Sequence, residues 1–279
     1  MKLVKREIPW TDPITHEPLI IDNALISSKS SSYSIIDGIP NFIENISDEI
    51  QKQVQESFGE KWTKTTFANN DSEFEKNLKP IYLEMMGLKE TDLDIFNNKT
   101  ILEVGIGSGS SSRLWCKQSK EFHGVDISKA VYAVSDNLKN FYQHSILSQA
   151  DINHLPYDDE SFDVIVSNGV FHHTPNTKES LKNSLKKLKV GGFCIFYIYK
   201  IKSPIREFSD DYIRSKISHL PYDEAYEKIK TLTNFGKSLS KKNSDIIIPS
   251  DIDFLGIKKG TYNLQRFFYD YFFKCFWNE

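Results

Sequence analysis

Glycines and carboxylates are the residues of this chain whose spacing could support chemistry. Gly105, Gly107 and Gly109 stand at alternate positions after the apolar run 101–104. Glycines this close together let the main chain turn sharply and approach a ligand without an intervening Cβ atom. The pattern predicts a strand, a tight turn and a helix over 110–117, whose free N–H groups would point toward a ligand. The spacing differs from the dinucleotide-binding pattern, so a nicotinamide or flavin site is not favoured.

Polar side chains also end the strands predicted downstream. Asp126 ends a strand that begins at Phe122, Asp151 follows a third strand, and Asn168 ends a fourth strand that begins at Phe162. Ligands of parallel sheets bind beyond the carboxyl ends of the strands. A carboxylate suits a sugar there because it accepts two hydrogen bonds at once. An aspartate at a strand end is also often a turn or cap residue, so that alternative stays open.

Five motifs in their order resemble those of the class I S-adenosylmethionine-dependent methyltransferases. They are Glu-Val-Gly-Ile-Gly-Ser-Gly, Gly-Val-Asp-Ile-Ser, Ala-Asp-Ile-x-x-Leu-Pro, Phe-Asp-Val-Ile-x-x-Asn-Gly-Val-Phe-His-His-Thr and Leu-Lys-Val-Gly-Gly. The resemblance covers residues 99–200, and five ordered motifs are far more specific than one. It implies an α/β fold with a Rossmann-like parallel sheet flanked by helices, S-adenosyl-L-methionine as cofactor, and in-line methyl transfer to a small-molecule acceptor.

The resemblance also implies a set of cofactor-binding residues. They are Trp62, Glu103, Gly105, Gly107, Gly109, Asp126, Ile127, Asp151, Ile152 and Asn168. Asp126 would bind the ribose hydroxyls, and the glycine-rich loop would lie beside the methionine and ribose. Asp151 would accept from the adenine amino group, with Ile127 packed on the adenine and the Ile152 main chain beside it. Asn168 would lie where the reactive methyl group points.

Two histidines follow the fourth strand, on the loop nearest the methyl group in this family. An oxygen nucleophile usually needs a general base, whereas a nitrogen or sulfur nucleophile needs little acid–base help. Histidine is the natural residue for that role, which makes His172 and His173 the candidate catalytic residues. The alternative is that one or both histidines brace the loop.

The segment before the first core strand has a helical pattern. Residues 56–62 resemble a segment of the N-terminal helices that close over the cofactor in some relatives. This resemblance would place Phe58 or Trp62 near the methionine end of the cofactor. The alternative, that both are ordinary core aromatics, stays open. Ile50 and Val54 share a helix face with Phe58 at four-residue spacing.

Four regions are predicted along the chain. A β-rich segment at the N-terminus resembles the zinc-ribbon-like segment of bacterial relatives but lacks its cysteine pairs, so a metal-free remnant is expected and no metal site is predicted. A helical cap, the cofactor-binding core and a helical extension follow. The predicted ranges are 1–45, 46–98, 99–200 and 201–279.

Helical periodicity places two helices inside the core. Ser128 is a candidate N-cap, and apolar residues follow it at helical spacing. A second helix is predicted to begin near Thr177, to carry Leu188 on its apolar face and to end at the turn 190–192. Strand five, residues 193–199, is almost entirely apolar, which predicts a strand covered on both faces.

The C-terminal region departs from the resemblance. Residues 203–240 contain two amphipathic helical stretches, and residues 264–277 carry a broad aromatic face that includes Cys275. The helix that carries this face would pack into the core, form a homodimer interface or act as a substrate lid. No convincing hairpin follows the fifth strand. The expectation is either that the chain stops early or that the sheet edge is built differently.

Composition limits the remaining possibilities. The chain has 279 residues and a formal net charge of −3. It therefore lacks the excess of positive charge that would favour a nucleic-acid partner. Three dispersed cysteines suggest neither a disulfide framework nor a zinc site. The sequence shows no apolar run of membrane-span length and no secretory signal, so a cytoplasmic location is expected. A non-catalytic cofactor-binding or scaffolding protein, and an RNA or protein methyltransferase, remain the alternative functions.

Overall fold

The computed structural model describes residues 6–22, 25–43, 49–64, 74–139, 145–242 and 244–272. The chain forms two compact units, Met1–Tyr199 and Lys200–Glu279. Cys275 lies outside the described residues, as do the side chains of Ile50 and Val54. Within the described residues, no helix is both long and apolar enough to cross a membrane. The four-region division of the chain remains a prediction.

The first unit contains nine strands and four α-helices among its described residues. The strands are β1 (Ile20–Asp22), β2 (Leu25–Ser27), β3 (Ser32–Ile36), β4 (Ile39–Asn41), β5 (Thr100–Val104), β6 (Glu121–Asp126), β7 (Ile146–Gln149), β8 (Phe162–Asn168) and β9 (Leu188–Tyr197). The helices are α1 (Glu49–Lys64), α2 (Lys79–Met86), α3 (Ala130–Lys139) and α4 (Thr177–Lys186). Short π- or 3₁₀-helical turns cover Phe74–Leu78, Glu90–Phe96, Ser111–Leu114, Cys116–Gln118 and Phe171–His173.

All nine strands form one sheet, in the order β1-β2-β3-β4-β7-β6-β5-β8-β9. Strands β5 to β9 are parallel to their neighbours, whereas β1 to β4 form an antiparallel run. The two parts join where Asn41 of β4 pairs with Gln149 of β7. The predicted Rossmann-like parallel sheet is confirmed, and the N-terminal strands extend it.

Hydrophobic packing covers both faces of the central strands. Ile101 and Leu102 are adjacent in β5, and each belongs to a different buried cluster. Successive side chains of a strand point to opposite faces, so a strand buried on both faces must be apolar at every position. Burial on both sides holds the carboxyl ends of β5 to β8 at one edge of the sheet.

The helix predicted over 110–117 is not a continuous α-helix. Two 3₁₀ turns, Ser111–Leu114 and Cys116–Gln118, take its place. Trp115 separates them because its main chain departs from helical geometry at φ −128° while its side chain is fully buried. Core packing of the indole therefore overrides the local helical pattern.

The predicted end of the second core helix is wrong. Helix α4 ends at Lys186, and Leu188 begins β9, where it pairs with Phe162. Leu188 continues the apolar spacing because it packs against the core from the strand.

Strand β9 ends at Tyr197, before the predicted residue 199. It is the last strand of the sheet and is half-buried along most of its length. Phe193 and Ile195 pack against one buried cluster and Cys194 against the other, so the predicted coverage on both faces is present but incomplete.

The second unit contains three helices and two strands among its described residues. They are α5 (Pro204–Ile217), α6 (Tyr222–Ser240), β10 (Asp245–Ile248), β11 (Gly260–Asn263) and α7 (Leu264–Tyr271), with a 3₁₀ turn at Asp253–Leu255. The two helices predicted over 203–240 are present. Strands β10 and β11 pair as a separate antiparallel sheet. This corrects the expectation that no hairpin follows the fifth predicted core strand, which is β9 in the structure. Each strand has four residues, too few for a clear alternating pattern.

The aromatic face of α7 packs within its own unit. Phe267 is buried, and its ring lies 5.7 Å from the ring of Tyr262 in β11 and 5.2 Å from that of Tyr271. Aromatic pairs at these distances add to the stability gained from burial. The homodimer interface remains a prediction.

Candidate functional site

The glycine-rich loop begins directly at the end of β5 and bends over the end of β6. The main-chain N–H groups of Gly105 and Ile106 both donate to the carbonyl oxygen of Val125, at 2.7 and 3.0 Å. Gly105 has φ +73° and Gly107 has φ +53°, which are left-handed conformations that side chains with a Cβ rarely adopt. The two strands therefore hold the loop in a shape that requires glycine.

The main chain at Gly107 lies close to the indole of a tryptophan from α1. A Cβ atom at Gly107 would come within 3.2 Å of Trp62 Nε1. Trp62 is half-buried, and the Lys61 ammonium lies 4.4 Å from its ring centroid. Glycine therefore leaves a narrow space under the indole, at the edge of the sheet where the sequence predicts the cofactor.

Asp126 lies beside this loop at the end of β6. Its Oδ2 accepts from Gly107 N at 2.9 Å, and its Oδ1 accepts from Ser128 N at 2.8 Å and Ser128 Oγ at 2.7 Å. Burial raises the pKa of Asp126, and hydrogen bonds from Ser128 and Gly107 oppose that effect. A carboxylate has about four acceptor positions, so three donors leave one free, and the Ser128 hydroxyl can rotate away.

The Glu103 side chain is directed toward the 3₁₀-helical segment that follows the glycine-rich loop. Its side chain is only 1% exposed, and its oxygens accept from Ser111 Oγ at 3.2 Å and Trp115 Nε1 at 3.0 Å. Burial raises the pKa of Glu103 to about 7. The structure thus shows a residue that anchors the 3₁₀ turns below the loop, and sequence reasoning missed both of its partners.

Replacing Glu103 with glutamine is expected to make the protein less sensitive to pH. The unfolded carboxyl group releases its proton near pH 4.3, whereas the folded one keeps it until about pH 7, so the free energy of unfolding falls as pH rises through this window. Glutamine can accept from Trp115 and donate to Ser111. We expect the variant to gain on the order of 2 kcal/mol relative to the wild type between pH 5 and pH 8.

Urea unfolding at those two pH values measures this difference. Glu160 is exposed but lies in a turn with positive φ, which makes it a poor control. Glu84 is exposed in α2, so Glu84→Gln is the better matched control and should leave the pH dependence of stability unchanged. Parallel pH dependence in the wild type and the Glu103 variant would contradict the raised pKa.

Asp151 lies beyond the end of β7. Its Oδ1 accepts from Asn153 N at 2.9 Å and Asn153 Nδ2 at 3.3 Å, and its Oδ2 accepts from Gln51 Nε2 at 2.9 Å. Ile152 is buried, and Ile127 is half-buried at the end of β6. The residues predicted for the adenine end thus follow neighbouring strands, and Gln51 is an additional residue that sequence reasoning did not single out.

Aromatic rings gather beyond the end of β8, where Asn168 ends the strand. The His172 ring centroid lies 4.1 Å from those of His173 and Tyr199, and Phe58 of α1 lies 4.8 Å from His173. Tyr199 follows β9 and was not singled out from the sequence. Its position depends on pairing between β8 and β9, which is a long-range contact.

His172 is the unusual member of this group. Both of its ring nitrogens are buried and have no hydrogen-bond partner among the described residues. Burial lowers the pKa of His172, which favours the neutral form of the imidazole. A neutral imidazole offers one donor and one acceptor, and in His172 neither has a partner among the described residues.

Comparison with known proteins shows what the core is similar to. Residues 102–196 match a protein family described as "Methyltransferase domain". The chain is 31% identical over 122 residues to a ubiquinone biosynthesis O-methyltransferase from Coxiella burnetii, covering 43% of this chain and 52% of the relative. It is 28% identical over 112 residues to phosphoethanolamine N-methyltransferase 2 from Caenorhabditis elegans, covering 38% and 25%.

Solved structures with similar folds include the N-methyltransferase NodS from Bradyrhizobium japonicum in complex with S-adenosyl-L-homocysteine. It is 17% identical, covers 56% of this chain and 77% of that one, and gives a TM-score of 0.41. The chain spans about half the length of the Coxiella relative, whose acceptor is therefore not assigned to it.

The motifs, the sheet order and the matched family agree. Residues 102–196, which match the methyltransferase domain, lie within the part of the chain that carries the five ordered motifs of class I S-adenosylmethionine-dependent methyltransferases. The family resemblance and the cofactor class implied by the motifs are confirmed. The roles of individual site residues remain predictions.

Proposed function

We propose that this chain transfers a methyl group from S-adenosylmethionine to a small-molecule acceptor. The observation that supports it best is the contact between Asp126 and the glycine-rich loop, 2.9 Å from Oδ2 to Gly107 N. This contact lies at the carboxyl ends of adjacent parallel strands, where such sheets bind ligands. The glycine-rich loop and the acid predicted for the ribose therefore lie at one place.

The residues present fit the cofactor. Asp126 retains an acceptor position for a ribose hydroxyl, and Gly107 leaves the space below Trp62 that a Cβ atom would fill. When bound, S-adenosylmethionine supplies a methyl group already activated by a positively charged sulfonium. The chain's own residues have to align the acceptor with that methyl group and exclude water.

His172 is the residue best suited to take a proton from the acceptor. Its neutral ring has an unpaired nitrogen, and aromatic rings surround it. An oxygen acceptor needs such a base, whereas nitrogen and sulfur acceptors need little help. The availability of His172 therefore favours a hydroxyl-bearing acceptor. The Coxiella relative is named as an O-methyltransferase, which agrees with this choice.

Calorimetry with S-adenosylmethionine and S-adenosylhomocysteine tests the proposal first. We expect saturable binding of both ligands, followed by transfer of isotope-labelled methyl groups into an extract of small metabolites. Absence of binding at millimolar concentrations would refute the proposal. Binding without transfer to any acceptor would favour a non-catalytic cofactor-binding protein.

Replacing His172 with alanine is expected to lower turnover about 100-fold or more, because general-base catalysis has that magnitude. The affinity for S-adenosylhomocysteine should stay within about threefold, since His172 acts on the acceptor. Wild-type turnover should rise with pH through the lowered pKa of His172 and level off above it. The measurements are kcat as a function of pH and the Kd of S-adenosylhomocysteine.

His173→Ala separates the two candidate bases, and His219→Ala, an exposed site in the second unit, is the control. Unchanged kcat in the His172 variant would remove His172 as the base. Unchanged kcat in both variants would leave the loop histidines with a bracing role.

A further inference from the structure

Helix α1 contributes a polar side chain to the predicted adenine end of the site. Gln51 Nε2 donates to Asp151 Oδ2 at 2.9 Å. One helical turn later, Gln55 Nε2 donates to the carbonyl oxygen of Ile127, also at 2.9 Å. Residues four positions apart lie on the same helix face. Helix α1 is therefore hydrogen-bonded to the ends of two neighbouring strands.

The same face of α1 continues along the edge of the sheet. Gly59 lies against Ser128, where an added Cβ atom would be 3.6 Å from the Ser128 Cβ. Trp62 lies over Gly107. This placement fixes the helix close to the strand ends, so Gln51 reaches Asp151 from a supported position.

The two oxygens of Asp151 differ in their surroundings. Oδ1 accepts from both the main-chain and side-chain nitrogens of Asn153, at 2.9 and 3.3 Å. These donors belong to the loop that carries Asp151 itself. Oδ2 accepts from Gln51, and Nδ1 of His154 on the loop lies 3.6 Å from it, so Gln51 is the donor to Oδ2 that comes from outside the loop. An amide N–H and an exocyclic amine are the same kind of donor.

We propose that Gln51 is a specificity-determining residue that competes with the exocyclic amine of the nucleoside for Asp151 Oδ2. This inference rests on the proposed function, which assigns the amine to Asp151. Three donors and the His154 ring nitrogen already surround the four acceptor positions of Asp151, so a ligand with the amine displaces the Gln51 amide and exchanges one hydrogen bond for another. A ligand without the amine leaves Gln51 in place. The glutamine therefore moderates the preference for adenine.

Removing the competitor should strengthen binding only for the ligand that competes. We expect Gln51→Ala to bind S-adenosylhomocysteine roughly threefold to tenfold more tightly, as the loss of one competing hydrogen bond allows. S-inosylhomocysteine carries a carbonyl in place of the amine, and its affinity should change less than about twofold. Lys52→Ala is the matched control, since Lys52 is exposed on the same helix, and should leave both affinities unchanged.

Calorimetry gives the six dissociation constants of the wild type and the two variants for the two ligands, and hydrogen exchange of residues 49–64 in the ligand-free protein gives a second readout. We expect faster exchange in Gln51→Ala than in Lys52→Ala, because the anchor to Asp151 is lost. Weaker or unchanged binding of S-adenosylhomocysteine by Gln51→Ala would overturn the competition, as would equal tightening for both ligands.

Failure of the proposed function is distinguishable from failure of this inference. Wild-type protein that binds neither nucleoside would refute the proposed function and the competition with it. Wild-type protein that binds S-adenosylhomocysteine, together with unchanged affinities and exchange in Gln51→Ala, would overturn the role of Gln51 alone.

Discussion

Asp126→Ala is expected to abolish measurable binding of S-adenosylhomocysteine, with at least a 100-fold loss of affinity. The substitution removes the predicted ribose contact and also leaves the N–H groups of Gly107 and Ser128 without their acceptor. Each unsatisfied buried donor costs about 1–3 kcal/mol. The loop should therefore lose its shape together with its ligand. Calorimetry measures the affinity, and urea unfolding measures the accompanying loss of stability.

Asp126→Asn separates the two contributions. Its amide oxygen can still accept from Ser128, but its amide nitrogen then faces the Gly107 N–H, donor against donor. We expect intermediate stability and an affinity still weakened at least tenfold. Asp158→Ala, at an exposed site after β7, is the control and should bind normally. A folded Asp126→Ala variant with wild-type affinity would remove Asp126 from the site.

Gly105→Ala is expected to give the largest loss of stability among single substitutions in the loop. An alanine Cβ would lie 2.2 Å from Val170 Cγ2, and the position has φ +73°. The left-handed conformation costs about 1–2 kcal/mol for a residue with a Cβ. Overpacking adds typically about 1–3 kcal/mol. We therefore expect a loss of about 2–5 kcal/mol in the free energy of unfolding, measured with urea.

Two further variants divide that loss into its causes. Gly191 has φ +81° but no atom within 4 Å of an added Cβ, so Gly191→Ala should show the conformational cost alone. Val170→Ala in the Gly105→Ala background should recover part of the overpacking cost, as a double-mutant cycle would show. Equal losses in Gly105→Ala and Gly191→Ala would mean that the contact with Val170 is unimportant.

Local sequence patterns predicted most of the core correctly. Strand β8 and its terminal Asn168 follow from one apolar, β-branched run, and Asp126 follows from its place at the end of β6. These features depend on neighbouring residues along the chain, which is the information that periodicity and motif spacing contain. Within the core, the errors arose at the boundaries of elements. At Leu188 and Trp115, packing against distant residues decided between helix, turn and strand.

The amino-acid sequence by itself determined the class of domain, because strand, glycine turn and terminal acid recur in order and each is a local feature. Only the tertiary structure decided the surroundings of the site. Glu103 points to Ser111 and Trp115 below the loop, and Gln51 reaches Asp151 from a helix 100 residues earlier. The ring of Tyr199 meets His172 through the pairing of β8 with β9. Such contacts depend on how separate elements pack, which no local pattern specifies.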